Sequence, residues 1–136
     1  MRYQDQKVLI VGMGLSGCSM ALFLAQRGAQ VIGYDDRIRD VTYPCKVYSK
    51  VSDLNIEEFD FIAISPGIKE NHPLYLKAKE KNIAVIGEIE LGAREIEATC
   101  IGITGTNGKS TVTSLITHVL NSSNRPALAL GNIGVP

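Results

Sequence analysis

Apolar residues along this chain gather in short runs, and each run halts at a glycine, a proline or an acidic pair. "KVLIVG" (7–12) is a continuous apolar run ending in glycine, the pattern of a strand buried on both faces of a parallel sheet. "AQVIGYDD" and "FDFIAISPG" read the same way, the latter ending in a Ser-Pro-Gly turn because proline cannot continue a ladder. "CKVYS" is a shorter candidate and "IAVIG" a further one. Between them lie helical segments. "SGCSMALFLAQRG" carries Met20, Leu22, Phe23 and Leu24 and is stopped by Gly28. "HPLYLKAKEKN" has Pro73 at its first turn and Asn82 at its end, and "EIELGAREIE" leads away from the last strand. Strand and helix alternate with short connections, which predicts an α/β, Rossmann-like, doubly wound parallel sheet complete by Ile96.

The pattern then restarts. "CIGIT" predicts a strand, "GTNGKS" a loop, "STVTSLITHVLNSS" a helix and "PALAL" a strand. Residues 1–96 are expected to form one domain, and 97–136 the first β-α-β piece of a second, a P-loop ATPase domain. The strand-loop-helix-strand piece itself, roughly 35 residues, lies below the roughly 40 at which chains usually fold alone. Ile101, Ile103, Leu115, Ile116, Val119 and Leu128 would normally face a sheet. The tail is therefore expected to dock on the first domain, to self-associate or to be disordered.

Composition narrows the classes. The chain has 136 residues, is 45% hydrophobic and has a formal net charge of zero, without the basic excess of a nucleic-acid binder. Cys18, Cys45 and Cys100 are too widely spaced for a disulfide framework or a zinc site and are expected as free thiols in a reducing cytoplasm. No apolar run approaches the ~18 residues of a membrane span, so the expected location is cytoplasmic, away from the membrane.

Two glycine loops carry the chemistry. Gly12, Gly14 and Gly17 form GxGxxG between a strand and a helix, where the backbone can approach a phosphate and the helix N-terminus offers free N–H groups. Asp35 lies 18 residues after Gly17, placed to accept hydrogen bonds from a ribose or a base edge. The loop does not name its nucleotide: a dinucleotide, as in a nicotinamide-dependent oxidoreductase, and a nucleotide-sugar both fit. Asp36 and Arg37 crowd the ribose position, which disfavours a standard NAD site. The second loop, "GITGTNGKST" (102–111), misses the strict P-loop pattern by one position, since Ile103 stands where a glycine belongs. Its mechanism is intact: amides of Gly105 to Ser110 can wrap phosphates, Lys109 can reach them, and Ser110 can ligate Mg²⁺. His118, mid-helix, and His72, before Pro73, are expected to be structural, and Lys77, Lys79, Glu80 and Lys81 a solvated helix face.

The second loop resembles the ATP loop of the Mur ligase superfamily, GxxGxxGK[ST]. The ordered set "GMGLSG", "YDDR", "SPGI", "GEIEL" and "GNIGVP" is similar to the branch of that superfamily that adds D-glutamate to UDP-N-acetylmuramoyl-L-alanine in peptidoglycan synthesis. The resemblance implies an ATP-dependent, Mg²⁺-requiring amide ligase working through an acyl phosphate. Gly14, Leu15, Ser16 and Gly17 would lie beside the uracil and diphosphate. Asp35, Asp36 and Arg37 would pair with the uracil edge, although the family often has a hydroxyl residue at the Asp36 position. Gly67 and Asn132 would border the substrate. Gly105, Thr106, Asn107, Gly108, Lys109, Ser110 and Thr111 would bind ATP, with Lys109 catalytic and Ser110 holding the metal. The family enzyme is roughly three times longer, its D-glutamate site lying outside these residues. The resemblance therefore implies an N-terminal piece that binds the UDP moiety and is inactive alone.

Overall fold

A computed structural model describes residues 2–131 and 133, and these divide into two compact units, Met1–Ile96 and Glu97–Pro136. In the first unit five strands form one sheet: β1 (Lys7–Val11), β2 (Gln30–Tyr34), β3 (Lys46–Tyr48), β4 (Phe61–Ile64) and β5 (Ala84–Gly87). Their spatial order is β3-β2-β1-β4-β5, and every pairing is parallel. Side chains alternate across the sheet with a period of two. Val8 and Ile10 of β1 therefore join Phe61 and Ala63 of β4 in one core, while Leu9, Val11 and Ile62 join the core on the opposite face. A strand buried on both faces has no position for a polar residue, which is why β1 reads as an unbroken apolar run.

Each face is covered by helix. Helix α1 (Leu15–Ala25) buries Gly17, Met20, Ala21 and Leu24, a stripe at i, i+3, i+4 and i+7. Met20, Ala21 and Leu24 enter the Val8/Ile10 core, as does Leu91 of the short helix α3 (Glu88–Ala93). Helix α2 (Pro73–Glu80) buries Leu74 and Ala78 against Leu9 and Val11 on the other face. The two longer helices end alike. Gly28 at φ 88° lets Ala29 N–H reach the Leu24 carbonyl, and Asn82 at φ 56° lets Ile83 N–H reach that of Ala78. Two short 3-10 turns, Val51–Asp53 and Ile56–Glu58, fill the connection from β3 to β4, and Ile56 and Phe59 pack into the α2-side core. They have no hydrophobic period and no sequence signal announced them.

Among its described residues the second unit contains one regular element, helix α4 (Lys109–Ser122). The expected strands "CIGIT" and "PALAL" do not form: residues 100–104 and 126–130 are extended or irregular, without ladder hydrogen bonds. An apolar run becomes a strand only by pairing, and an isolated two-stranded ribbon is marginal at best. None of the α4 side chains is buried. Ile101, Leu115, Val119 and Leu128 remain exposed, and Ile103 and Ile116 are half-buried. Among the described residues no helix is long and apolar enough to cross a membrane.

Candidate functional site

Strand order reverses between β1 and β4. The chain leaves β1 toward β2 on one side, while β4 and β5 extend the sheet on the other. In open parallel sheets the loops diverge at such a point, and a crevice opens beyond the carboxyl ends of the strands. The Gly12–Gly14 loop follows β1 there and the Ser65-Pro66-Gly67 turn follows β4. A hydrogen bond from Ser65 Oγ to the Gly12 carbonyl, 2.6 Å, ties the two together, and Ile68 N–H to Ser65 O, 3.0 Å, closes the turn. Gly67 faces open space. A cavity of about 280 Å³ lies beside them, with Ser65, Pro66, Gly87 and Glu88 in its wall.

The first loop is shaped by a close approach. A Cβ on Gly17 would sit 1.9 Å from the Gly12 carbonyl oxygen, so no larger residue lets α1 start this near β1. Gly14 caps α1 without a side-chain hydrogen bond, and there is no acidic residue in the first turn. The amides of Leu15, Ser16 and Gly17 precede the first intrahelical bond, Cys18 N–H to Gly14 O, and carry the partial positive charge of the helix end. Leu15 is 73% exposed at this position, an apolar side chain standing over an anion-attracting helix end.

The adjacent acidic residues do different work. Asp35 accepts Met13 N–H at 2.8 Å on one oxygen and Arg37 N–H at 2.9 Å on the other, so it is a strut between the end of β2 and the glycine loop. Asp36 is exposed. Its Oδ1 accepts the Tyr34 hydroxyl at 2.6 Å, and its Oδ2 lies 3.6 Å from His72 Nε2. Burial, and secondarily the hydrogen bond to Asp36, pushes the Tyr34 hydroxyl up to about 12. Arg37 is exposed, and its guanidinium forms no ion pair among the described residues. His72 is the N-cap of α2 as the sequence suggests, accepting Leu74 N–H at 3.2 Å on Nδ1, but its other nitrogen faces Asp36. Sequence reasoning missed Tyr34, Ser65 and this second side of His72. The Ser-Pro-Gly turn was the available signal for Ser65; nothing local signalled the contact between Tyr34, Asp36 and His72.

The second loop has the local form of an anion site. Gly108, at φ 75°, adopts the left-handed conformation that glycine tolerates and caps α4. Lys109, Ser110 and Thr111 occupy the first turn, before the Val112 N–H to Gly108 O bond. The Lys109 ammonium folds back on the loop, donating to the Gly105 carbonyl at 2.5 Å and the Thr106 carbonyl at 3.5 Å. Thr106 and Asn107 are exposed. Mg²⁺ favours an octahedron of oxygens completed by phosphates and water, and the Ser110 hydroxyl suits one such position. Among the described residues no group of three His, Cys, Asp or Glu side chains could complete a metal site. Asn132 lies outside the described residues.

Residues 6–87 match the family described as Mur ligase MurD-like, N-terminal domain. The chain is 44% identical to a UDP-N-acetylmuramoylalanine-D-glutamate ligase of Protochlamydia amoebophila, across 98% of this chain and 32% of the relative. It is 37% identical to the enzyme of the same name from Chlamydia muridarum, across 96% of this chain and 33% of the relative. The chain thus spans about a third of the length of these relatives. Among solved structures it is similar to the UDP-N-acetylmuramate-alanine ligase MurC of Thermotoga maritima, with a TM-score of 0.54 at 17% identity, covering 88% of this chain and 30% of that one, a likeness of fold.

Proposed function

The chain belongs to the Mur ligase family through its MurD-like N-terminal domain, and from that premise we propose that it is the part of a D-glutamate-adding ligase that holds UDP-N-acetylmuramoyl-L-alanine. The observation that carries the reading is the position of the family match: residues 6–87 are those that build the crevice at the strand-order reversal. The free amides of Leu15 to Gly17 would take the diphosphate, and Leu15 would cover the base. Asp35, Asp36 and Arg37 would border the uracil, while Gly67 and Asn132 would line the path of the sugar. Residues 1–96 would be the nucleotide-sugar domain and 97–136 the start of the ATP-binding domain, in an enzyme of the cytoplasm, where ATP is available.

In the whole ligase, phosphoryl transfer from ATP would convert the terminal carboxylate of the alanyl substrate to an acyl phosphate, and the amine of D-glutamate would displace phosphate through a tetrahedral intermediate. Lys109 would leave its carbonyl partners in the loop to neutralise charge on the transferred phosphoryl group. Loss of such a group costs about 10²–10³ in rate. Ser110 would hold Mg²⁺, which supplies charge neutralisation on the phosphate oxygens. Because the D-glutamate site would lie outside these residues, this chain alone would bind substrate without completing the ligation.

Calorimetric titration with UDP-N-acetylmuramoyl-L-alanine, with UDP and NADH in parallel, tests the reading. The UDP compounds should bind and compete with each other. Binding of NADH that UDP does not displace would overturn it in favour of a dinucleotide module, and ligase activity of this chain alone would overturn the claim that it is inactive.

A further inference from the structure

The first unit ends on a charge network that no part of the nucleotide site uses. Its centre is Glu95, the last residue but one of the unit, with a side chain 23% exposed. Arg27, just beyond α1, donates from Nε to Glu95 Oε2 at 3.2 Å. Arg2 lies 3.5 Å from Oε1 and also donates to the Arg94 carbonyl. Arg94 reaches back 2.6 Å to Glu90, one turn earlier on α3. Surface ion pairs contribute little when two long side chains must be ordered to make them. Arg27 is ordered beforehand. Its guanidinium stacks on the Phe23 ring, 3.7 Å from the centroid, and donates to the Phe23 carbonyl at 3.2 Å. That carbonyl lies at the end of α1, where the Arg27 N–H bonds Leu24 instead. Phe23 meets the buried Tyr3 edge to face at 6.3 Å, and Tyr3 packs on Phe61 of β4. The network is thus rooted in the core. Beyond it the chain changes character. Glu95 and Ile96 donate to the Gly92 and Ala93 carbonyls at 3.0 and 3.3 Å, whereas among the described residues none from 97 to 107 makes a backbone-to-backbone hydrogen bond. Residues 96–102 are exposed.

We propose that Arg27 and Arg2 form an ionic anchor that fixes the last turn of the first unit through Glu95, so that movement of the second unit pivots within residues 97–107 and is not passed into α3. Helix α3 carries Leu91 into the core, and its Glu88 lines the cavity beside the crevice. It has six residues and few internal hydrogen bonds, so a pull on an unanchored chain end would unwind it first. With Glu95 held by residues from α1 and the N-terminal segment, the load passes to the core, and the unbonded backbone beyond absorbs the rotation. Arginine suits the central post because its planar fork makes the ring, carbonyl and carboxylate contacts together.

Amide hydrogen exchange of the whole chain, read residue by residue by NMR, tests the anchor. Glu95 and Ile96 should be protected, and residues 98–107 should exchange as fast as an unfolded chain. Arg27→Ala should speed exchange at Glu95 and Ile96 about tenfold, the scale of one hydrogen bond to a charged group, while Val8 to Val11 keep their protection. Glu95→Gln should act in the same way, and the double variant should add little, because both changes remove one interaction. Arg2→Ala should have a smaller effect, about threefold, since Arg2 is the more exposed partner. The anchor is overturned if Glu95 and Ile96 of the native chain exchange as fast as residues 98–107, if Arg27→Ala leaves them unchanged, or if the two changes add in full. Loss of protection at Val8 to Val11 in Arg27→Ala would overturn it as well, by showing a general support of the core. Protection of residues 98–107 in the native chain would overturn the pivot.

Discussion

The two glycine loops are locally alike and differ in what stands behind them. Each precedes a helix whose first amides are free, and each is capped by a glycine with no side-chain hydrogen bond. The first is pinned from three sides: Gly17 lies against the Gly12 carbonyl, Ser65 reaches across from the end of β4, and Asp35 from the end of β2. Beneath it, Val8 to Val11 are essentially inaccessible to water. The second loop has a helix and, among the described residues of its unit, no sheet, and its lysine occupies itself with loop carbonyls. A phosphate loop is therefore two things, a backbone path written in glycines and a scaffold that fixes the path. Only the first loop has its scaffold within its own unit.

Core truncation should separate the units most widely. Leu9→Ala removes a fully buried side chain and should cost about 2–5 kcal/mol, while Leu115→Ala, exposed on α4, should stay within about 0.5 kcal/mol. Chemical denaturation of each variant reads the difference, and equal effects would abolish the contrast. Next comes the glycine pair. Gly17→Ala drives a Cβ into a carbonyl oxygen and should cost about 3 kcal/mol together with UDP affinity. Gly108→Ala meets open space and pays only the left-handed backbone, about 1 kcal/mol, with UDP binding unchanged. A Gly17→Ala variant of native stability would show that the close approach is not required.

Much of the first unit was legible because its signals are local: apolar runs for β1 and β4, Gly28 and Asn82 as helix stops, Pro73 at the start of α2. The strands expected at "CIGIT" and "PALAL" were misread because an apolar run states a preference for burial and says nothing of a pairing partner. The glycines of the site could be read from the chain. The division of labour between Asp35 and Asp36 could not, since the two residues are chemically identical and differ only in what the fold brings to each, from Met13 in one direction and His72 in the other.

Thiol reactivity sharpens the comparison on a smaller scale. Cys100 is exposed, whereas burial foremost, with Cys18 nearby, lifts the Cys45 thiol to about 11. Timed alkylation at neutral pH should label Cys100 first and Cys45 slowest. A fast Cys45 would mean that the core around it opens readily. The mildest effect is confined to alkaline pH. Because the Tyr34 hydroxyl titrates near 12 in the folded chain and about 10 when unfolded, its contribution is complete below about pH 10. It is lost as pH rises through 12, so alkaline denaturation should begin in that window. Tyr34→Phe should remove this part of the pH dependence.

The most direct test follows backbone amides of both loops by NMR in one sample, with UDP-N-acetylmuramoyl-L-alanine added first and Mg²⁺-ATP second. The account predicts saturable shifts at Gly14 to Gly17 with the first ligand, and weak, non-saturating changes at Gly105 to Ser110 with the second. Saturation of the second loop by ATP at sub-micromolar concentration, or a first loop that does not respond to the UDP-sugar, would contradict it.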